Sequence, residues 1–255
     1  MKLKFLGTGT SQGVPVIGCT CEVCTSQNPK DTRFRASAMI TTDENRKILI
    51  DCGPDFRQQM LINKENHIDI TLLTHEHNDH VIGLDDMRPL IFKSGKNMPI
   101  YCLSRVGQEV KNRFPYAFAD IRYPGAPAFD LHEIDLEKFT VLDTEITPIE
   151  VTHYKISILG YKFKKLAYIT DANFISDLEK EKLRNLDVLI LNCIRKFDPH
   201  PAHFVLADVI KLYDELKPKK LFLTHISHHL GVHDIEDKLL PQGIHLAYDG
   251  LEINF

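Results

Sequence analysis

The segment His75-Glu76-His77-Asn78-Asp79-His80 places four metal-binding side chains within six residues. Neutral imidazoles and a carboxylate are good donors to zinc, manganese or iron, and HxHxDH spacing lets one loop serve two ions. His75 and His77 are expected to hold one ion, while Asp79 and His80 turn towards a second. Two ions need more donors than one loop supplies, and His153, Asp171 and His225 are the candidates. Taken singly, each has a plainer reading as a polar strand end, a helix N-cap or a partly buried histidine. Beside the HxHxDH loop, ligation explains all three better. Asp171 has the two oxygens needed to bridge both ions at the ~3.5–4 Å separation of two-metal sites.

A second cluster lies in CTCEVC, where Cys19, Cys21 and Cys24 supply three thiolates, one short of a tetrahedral site. The fourth donor must be remote, and His228, in THISHH, is the candidate. A Cys3His site has no open position, so it would be structural and would tie the N-terminal loop to the C-terminal segment. A redox role or an exposed thiol cluster is the alternative. Six cysteines are too few for a disulfide scaffold. Cys52, Cys102 and Cys193 sit in or beside apolar runs and read as small buried hydrophobes.

These side chains need a frame. Short apolar, β-branched runs read as strands: KLKFLG, SAMITT, KILID, IDITLLT, PIYC, ISILGYKF, LAYIT, DVLILN, KLFLTH and LEINF. GPDFRQQMLINK, SDLEKEKLRN and ADVIKLYDELK carry helical spacing. Residues 113–136, rich in Pro, Gly and aromatics, read as a long surface loop. Asp51, His75, Asp171 and His225 each fall just after an apolar strand, where a rigid sheet can gather them on one rim. Mixed strands and helices suggest a layered α/β architecture with mixed sheets. There is no internal repeat or low-complexity tract, and one domain over residues 1–255 is expected. Hydrophobic residues at 43% and charged residues at 26% fit a soluble globular protein. The absence of a signal-like or membrane-length apolar run points to the cytoplasm and away from a membrane. A formal charge of −4 gives no global attraction to a polyphosphate and argues against nucleic acid as a partner.

HxHxDH, Asp51 in LIDCG, His153, Asp171 in YITDAN and His225 in FLTHIS resemble, in order and across nearly the whole chain, the motifs of the metallo-β-lactamase superfamily. The resemblance implies an αββα four-layer sandwich with two metals on the rim between its sheets. His75, His77 and His153 would bind the first, Asp79, His80 and His225 the second, and Asp171 would bridge them. Asp51 would support the metal loop by hydrogen bonding.

Within the superfamily, GTGTSQGVPVIGCTCEVC with the later THISH and YDGLEI resembles the PhnP-type phosphodiesterases. That likeness implies a structural zinc on Cys19, Cys21, Cys24 and His228. PqqB-type proteins share a related cysteine loop, and without a following GK[ST] the glycines are not a nucleotide P-loop. His203, in HPAHF, matches a catalytic histidine of PhnP-like sequences and is the candidate general acid, with His200 as its competitor. Arg88, in GLDDMRPL, matches an arginine that would contact a substrate phosphate; a solvated surface position is the plainer reading. His67, His132, His229, His233 and His245 carry no spacing signal.

The implied activity is hydrolysis of a small phosphodiester, a cyclic ribose phosphate or a nucleotide, with two catalytic divalent ions (manganese, zinc or iron), one structural zinc and a homodimer. A ribonuclease of the tRNase Z type is the alternative. Against it stand the lack of a long Gly/Pro-rich arm, the HPAH form and the negative charge. Thioester or lactam hydrolysis on the same fold, and a non-catalytic metal-binding scaffold, are further alternatives.

Overall fold

A computed structural model describes residues 1–255. Its fourteen strands form two seven-stranded sheets. The first contains β1 (Lys2–Gly7), β2 (Ser37–Thr41), β3 (Lys47–Ile50), β4 (Ile70–Leu72), β5 (Met98–Cys102) and β6 (Phe129–Glu133) in chain order. The second contains β7 (Phe139–Val141), β8 (Thr144–His153), β9 (Ile156–Phe163), β10 (Leu166–Ile169), β11 (Val188–Asn192), β12 (Lys220–Thr224) and β13 (Ile244–Leu246). The last strand, β14 (Glu252–Asn254), returns to the first sheet beside β1.

Both sheets are mixed in the same way. From β14 through β1 and β2 to β3 the pairing is antiparallel, and from β3 to β6 it is parallel. In the second sheet β7 to β10 pair antiparallel and β10 to β13 parallel. Parallel neighbours end at the same edge, so the carboxyl ends of β3 and β4 coincide, as do those of β10, β11 and β12. That edge is where open α/β sheets hold ligands.

The sheets pack face to face over Leu3, Phe5, Ile40, Ile48 and Leu72 from one side and Leu159, Tyr161, Phe163, Tyr168 and Ile190 from the other, all buried. Each such side chain contributes about 1.5–3 kcal/mol on leaving water. Outside the first sheet lie α1 (Phe56–Ile62), α2 (Asn78–Val81), α3 (Arg88–Ser94) and α4 (Ser104–Arg113). Outside the second lie α5 (Asp177–Lys182) and α6 (Leu206–Leu216), with α7 (His233–Leu239) near the end of the chain. This is the αββα four-layer sandwich. No helix is long and apolar enough to cross a membrane.

One expectation needs correction. Residues 113–136 are not one surface loop, because β6 lies inside that stretch and pairs with β5. In its FDLHE only Phe129 is buried, under Phe114 and Phe118. A sheet-edge strand with one core contact and polar faces lacks the apolar run that marks a central strand.

Candidate metal centres

Asp51, Asp171 and His225, at the ends of β3, β10 and β12, all have left-handed backbones, with φ of 61°, 61° and 51°. A non-glycine residue pays for that conformation, of the order of 1–2 kcal/mol, and keeps it only where the surroundings fix it. Asp171 is fixed by buried Asn192, whose Oδ1 accepts from the Ala172 amide at 2.7 Å and whose Nδ2 donates to the Ala172 carbonyl at 2.9 Å. The HxHxDH loop is fixed from both sheets. Tyr161 of β9 donates its hydroxyl to the Leu73 carbonyl at 2.7 Å. Behind the loop, Gly53 has no room for a side chain, since a Cβ there would sit 2.1 Å from the Asp79 carbonyl oxygen.

Asp51 is fully buried and orients two of the histidines. It accepts from the Thr74 amide and hydroxyl, each at 2.8 Å, and from His80 Nδ1 at 2.7 Å. With its proton given to Asp51, the Thr74 oxygen accepts from His75 Nδ1 at 2.9 Å. Both rings therefore carry a proton on Nδ1 and turn Nε2 to the rim. His153 does the same through its Nδ1, which donates to the Ala202 carbonyl at 2.9 Å. Such partners set the tautomer a metal requires.

The donors fall into two groups. His75, His77 and His153 form one, and Asp79, His80, Asp171 and His225 the other, each with its ligand atoms within 4.8 Å of one another. His75 Nε2 and His77 Nδ1 are 3.0 Å apart. Asp171 Oδ2 lies 3.9 Å from His75 Nε2, 3.4 Å from His80 Nε2 and 3.2 Å from His225 Nε2. Its other oxygen, Oδ1, accepts from the Thr170 hydroxyl at 2.5 Å. Oδ2 therefore comes within 4 Å of nitrogens from both groups, while Oδ1 is held by Thr170.

The chemistry of this set fits divalent cations. Both nitrogens of His225, and Nε2 of His80, are buried without a hydrogen-bond partner, a state that costs about 1–3 kcal/mol per group unless a ligand meets it. Burial, then His80, holds the His75 imidazole well below the usual histidine range, which keeps it a neutral donor. Burial also opposes charge on His80, but Asp171, Asp79 and Asp51 outweigh it and raise that imidazole strongly. For Asp171 burial works upward and is overcome by His225 and His80, which hold the carboxyl well down. Three carboxylates converging on one buried histidine are as favourable to a cation at Nε2 as to a proton.

His203 lies in the loop before α6. The loop is clamped to both ligand segments: the Phe204 amide donates to the Ala172 carbonyl at 2.8 Å, and the Ala202 carbonyl meets His153. The His203 ring consequently sits 4.8 Å from that of His153 and 4.7 Å from that of His225. Burial, then His225, holds His203 well below the usual histidine range, with Asp171 working the other way. His200 stands behind it, ring centroids 4.9 Å apart. Arg88 is elsewhere: it is paired with Asp85 and lines a cavity of about 490 Å³ that contains none of the metal donors.

The thiol cluster assembles across the chain. Cys19, Cys21 and Cys24 bring their sulfurs to 3.3, 3.3 and 3.4 Å from His228 Nδ1. Sulfur and nitrogen bound tetrahedrally to one zinc lie roughly 3.6 Å apart, so the cluster has nearly that spacing. The Cys24 amide, ahead of lesser contributions from His228 and Cys19, pulls the Cys21 thiol down to about 6, towards the thiolate that a metal binds. The loop reaches His228 because the Gly9 segment bridges to Ile226, with the Thr10 amide donating to the Ile226 carbonyl at 3.2 Å.

An αββα sandwich with two adjoining His/Asp donor groups at the shared strand edge defines a metal-dependent hydrolase domain of the metallo-β-lactamase fold. The chain belongs to that family. The sequence profile described as the beta-lactamase superfamily domain matches residues 46–226. A solved structure, described as a new diphosphatase from the PhnP family, superposes with a TM-score of 0.92 at 39% identity, covering 100% of this chain and 97% of that one. The chain is also 39% identical, over 253 residues, to a Porphyromonas gingivalis protein named octanoyltransferase, covering 99% of this chain and 51% of that protein. Ribonuclease Z of Clostridium beijerinckii is 31% identical over 150 residues, 55% of this chain and 46% of that enzyme. The chain thus spans about half the length of the curated relatives it matches.

Proposed function

We propose that this chain hydrolyses a small, doubly substituted phosphate with two divalent cations, manganese, zinc or iron, held by His75, His77, His153, Asp79, His80, Asp171 and His225. The observation that carries the reading is the two-group donor set with Asp171 Oδ2 facing both groups. When bound, the cations would supply Lewis acidity to the phosphoryl oxygens and lower the pKa of the attacking water. The protein's share is to gather the donors, with His75 kept neutral and Asp171 anionic, and to place His203 beside them. Burial keeps His203 neutral before substrate arrives; an anionic phosphoryl group beside it favours protonation, which suits it to donate to the leaving oxygen. Cys19, Cys21, Cys24 and His228 would hold a structural zinc.

The PhnP-family diphosphatase supports a phosphoryl substrate, whether the bond cleaved is P–O–C or P–O–P. The name octanoyltransferase belongs to a protein about twice this length and carries less weight for the reaction at this site. Ribonuclease Z aligns with this chain over 46% of its own length at 31% identity and supports the same chemistry on a larger substrate. A homodimer and a cytoplasmic location complete the proposal.

The test is metal content per chain together with hydrolysis of bis(p-nitrophenyl) phosphate after loading with manganese or zinc. Near three metals per chain, with activity lost in Asp171→Ala and His203→Ala, is the expected result. One metal per chain and no diesterase activity would sink the reading.

A further inference from the structure

Arg195 differs from the other cations near the metal rim. It forms no ion pair; its Nε donates to the Asp198 carbonyl at 2.8 Å and its Nη2 to the Pro199 carbonyl at 2.9 Å. Two main-chain carbonyls thus fix the plane of the guanidinium without neutralising it, and Nη1 makes no hydrogen bond within the protein. A pre-set fork with an unspent charge is the geometry that recognises a phosphate.

The surroundings point the same way. Arg195 lines a cavity of about 370 Å³ with Ser11, Gln12, His200 and His203, and none of its lining residues is acidic. His203 is the end of this cavity nearest the metals, since its ring nitrogen groups with donors of His153 and Asp171. His200 fills the wall between, in contact with the His203 ring. The cavity meets the metal donors at His203 and is larger than a single phosphate requires, so a group at the donors and a group at Arg195 would be neighbours across His203 and His200. The order along it is scissile position, His203, His200, Arg195.

We infer that Arg195 binds a second phosphoryl group of the substrate, next to the one attacked, so that the substrate class is a diphosphate diester. The inference rests on the phosphoryl-hydrolase reading above and narrows it. In that reaction a water oxygen would join the phosphorus beside His203, the bridging P–O bond would break, and two phosphomonoesters would leave, with the protons of water shared between them and solvent. Arg195 is a binding residue in this scheme and does not touch the attacking water.

The experiment measures kcat and KM for the full-length, manganese-loaded chain on two probes. ADP-ribose is a diphosphate diester, and bis(p-nitrophenyl) phosphate is a diester with no second phosphate. Losing a charged hydrogen bond is worth roughly tenfold to a hundredfold in binding. In Arg195→Ala the preference for ADP-ribose, taken as the ratio of the two kcat/KM values, is expected to fall by that factor, mainly through the KM for ADP-ribose. Arg195→Lys, which keeps the charge without the fork, should recover part of it. An unchanged ratio, or a parent that cleaves only bis(p-nitrophenyl) phosphate, overturns the inference and leaves the phosphodiesterase reading standing. A parent inactive on both probes removes that reading, and the inference with it.

Discussion

Asp51→Asn is a sharp test of how the second metal group is organised. Asparagine keeps the volume and tolerates the φ of 61° at this position, so no new backbone strain is introduced. What changes is the donor count. Asp51 accepts three hydrogen bonds and is fully buried. An amide turned one way presents its NH2 to the Thr74 amide; turned the other, to His80 Nδ1 and the Thr74 hydroxyl. Either leaves at least one buried donor facing another, a cost of about 1–3 kcal/mol. The His80 tautomer is no longer enforced, and losing such support lowers metal affinity by roughly 10- to 100-fold. The two figures agree, since a hundredfold is about 2.7 kcal/mol. Affinity is read by competition with a chromophoric chelator, alongside thermal midpoints of metal-free and metal-loaded protein. Metal binding within twofold of the parent would refute the claim that Asp51 acts through His80 and Thr74.

Further expectations address other parts of the frame. Gly53→Ala should push the Asp79 carbonyl away, with an overpacking cost of about 1–3 kcal/mol and weaker binding of the second catalytic ion; a variant with parental metal content and melting temperature would show that the loop gives way freely. Cys24→Ser should remove one zinc per chain and lower the melting temperature by at least several degrees, at about 2–4 °C per kcal/mol for a chain of this size; zinc content and calorimetry decide it. The last expectation concerns acid stability. Buried His233 accepts from the Arg33 guanidinium at 3.1 Å, and burial, then Arg33, depresses its pKa to about 4. A histidine depressed in the folded state stabilises above its unfolded value near 6.5 and loses that contribution as pH falls towards 4. The melting temperature of the parent should therefore fall more steeply between pH 6.5 and 4 than that of His233→Gln, and equal slopes would contradict this.

What the sequence displays is the identity of the donors, because His and Asp at tight spacing are conspicuous and the strand ahead of each is apolar. The strands that carry Asp51, Asp171 and His225 lie within a residue or two of where their periodicity places them. What it hides is conformation and contact between distant segments. No local pattern marks Asp51, Asp171 and His225 as left-handed, since the cost is offset by partners such as Asn192 that look like ordinary strand residues. His229 and His233 carry no spacing signal, yet one borders the cavity beside His203 and the other closes on Arg33. Arg195 is hidden for a related reason. Its charge reads as solvated surface until the turn through Asp198 and Pro199 is seen to hold it over the same cavity as His203. The bond from Phe204 to Ala172 folds that turn against the metal donors. A rim of metal donors built from strand ends is therefore legible as a set of side chains, whereas the cavity beside it depends on where the intervening turn is pinned.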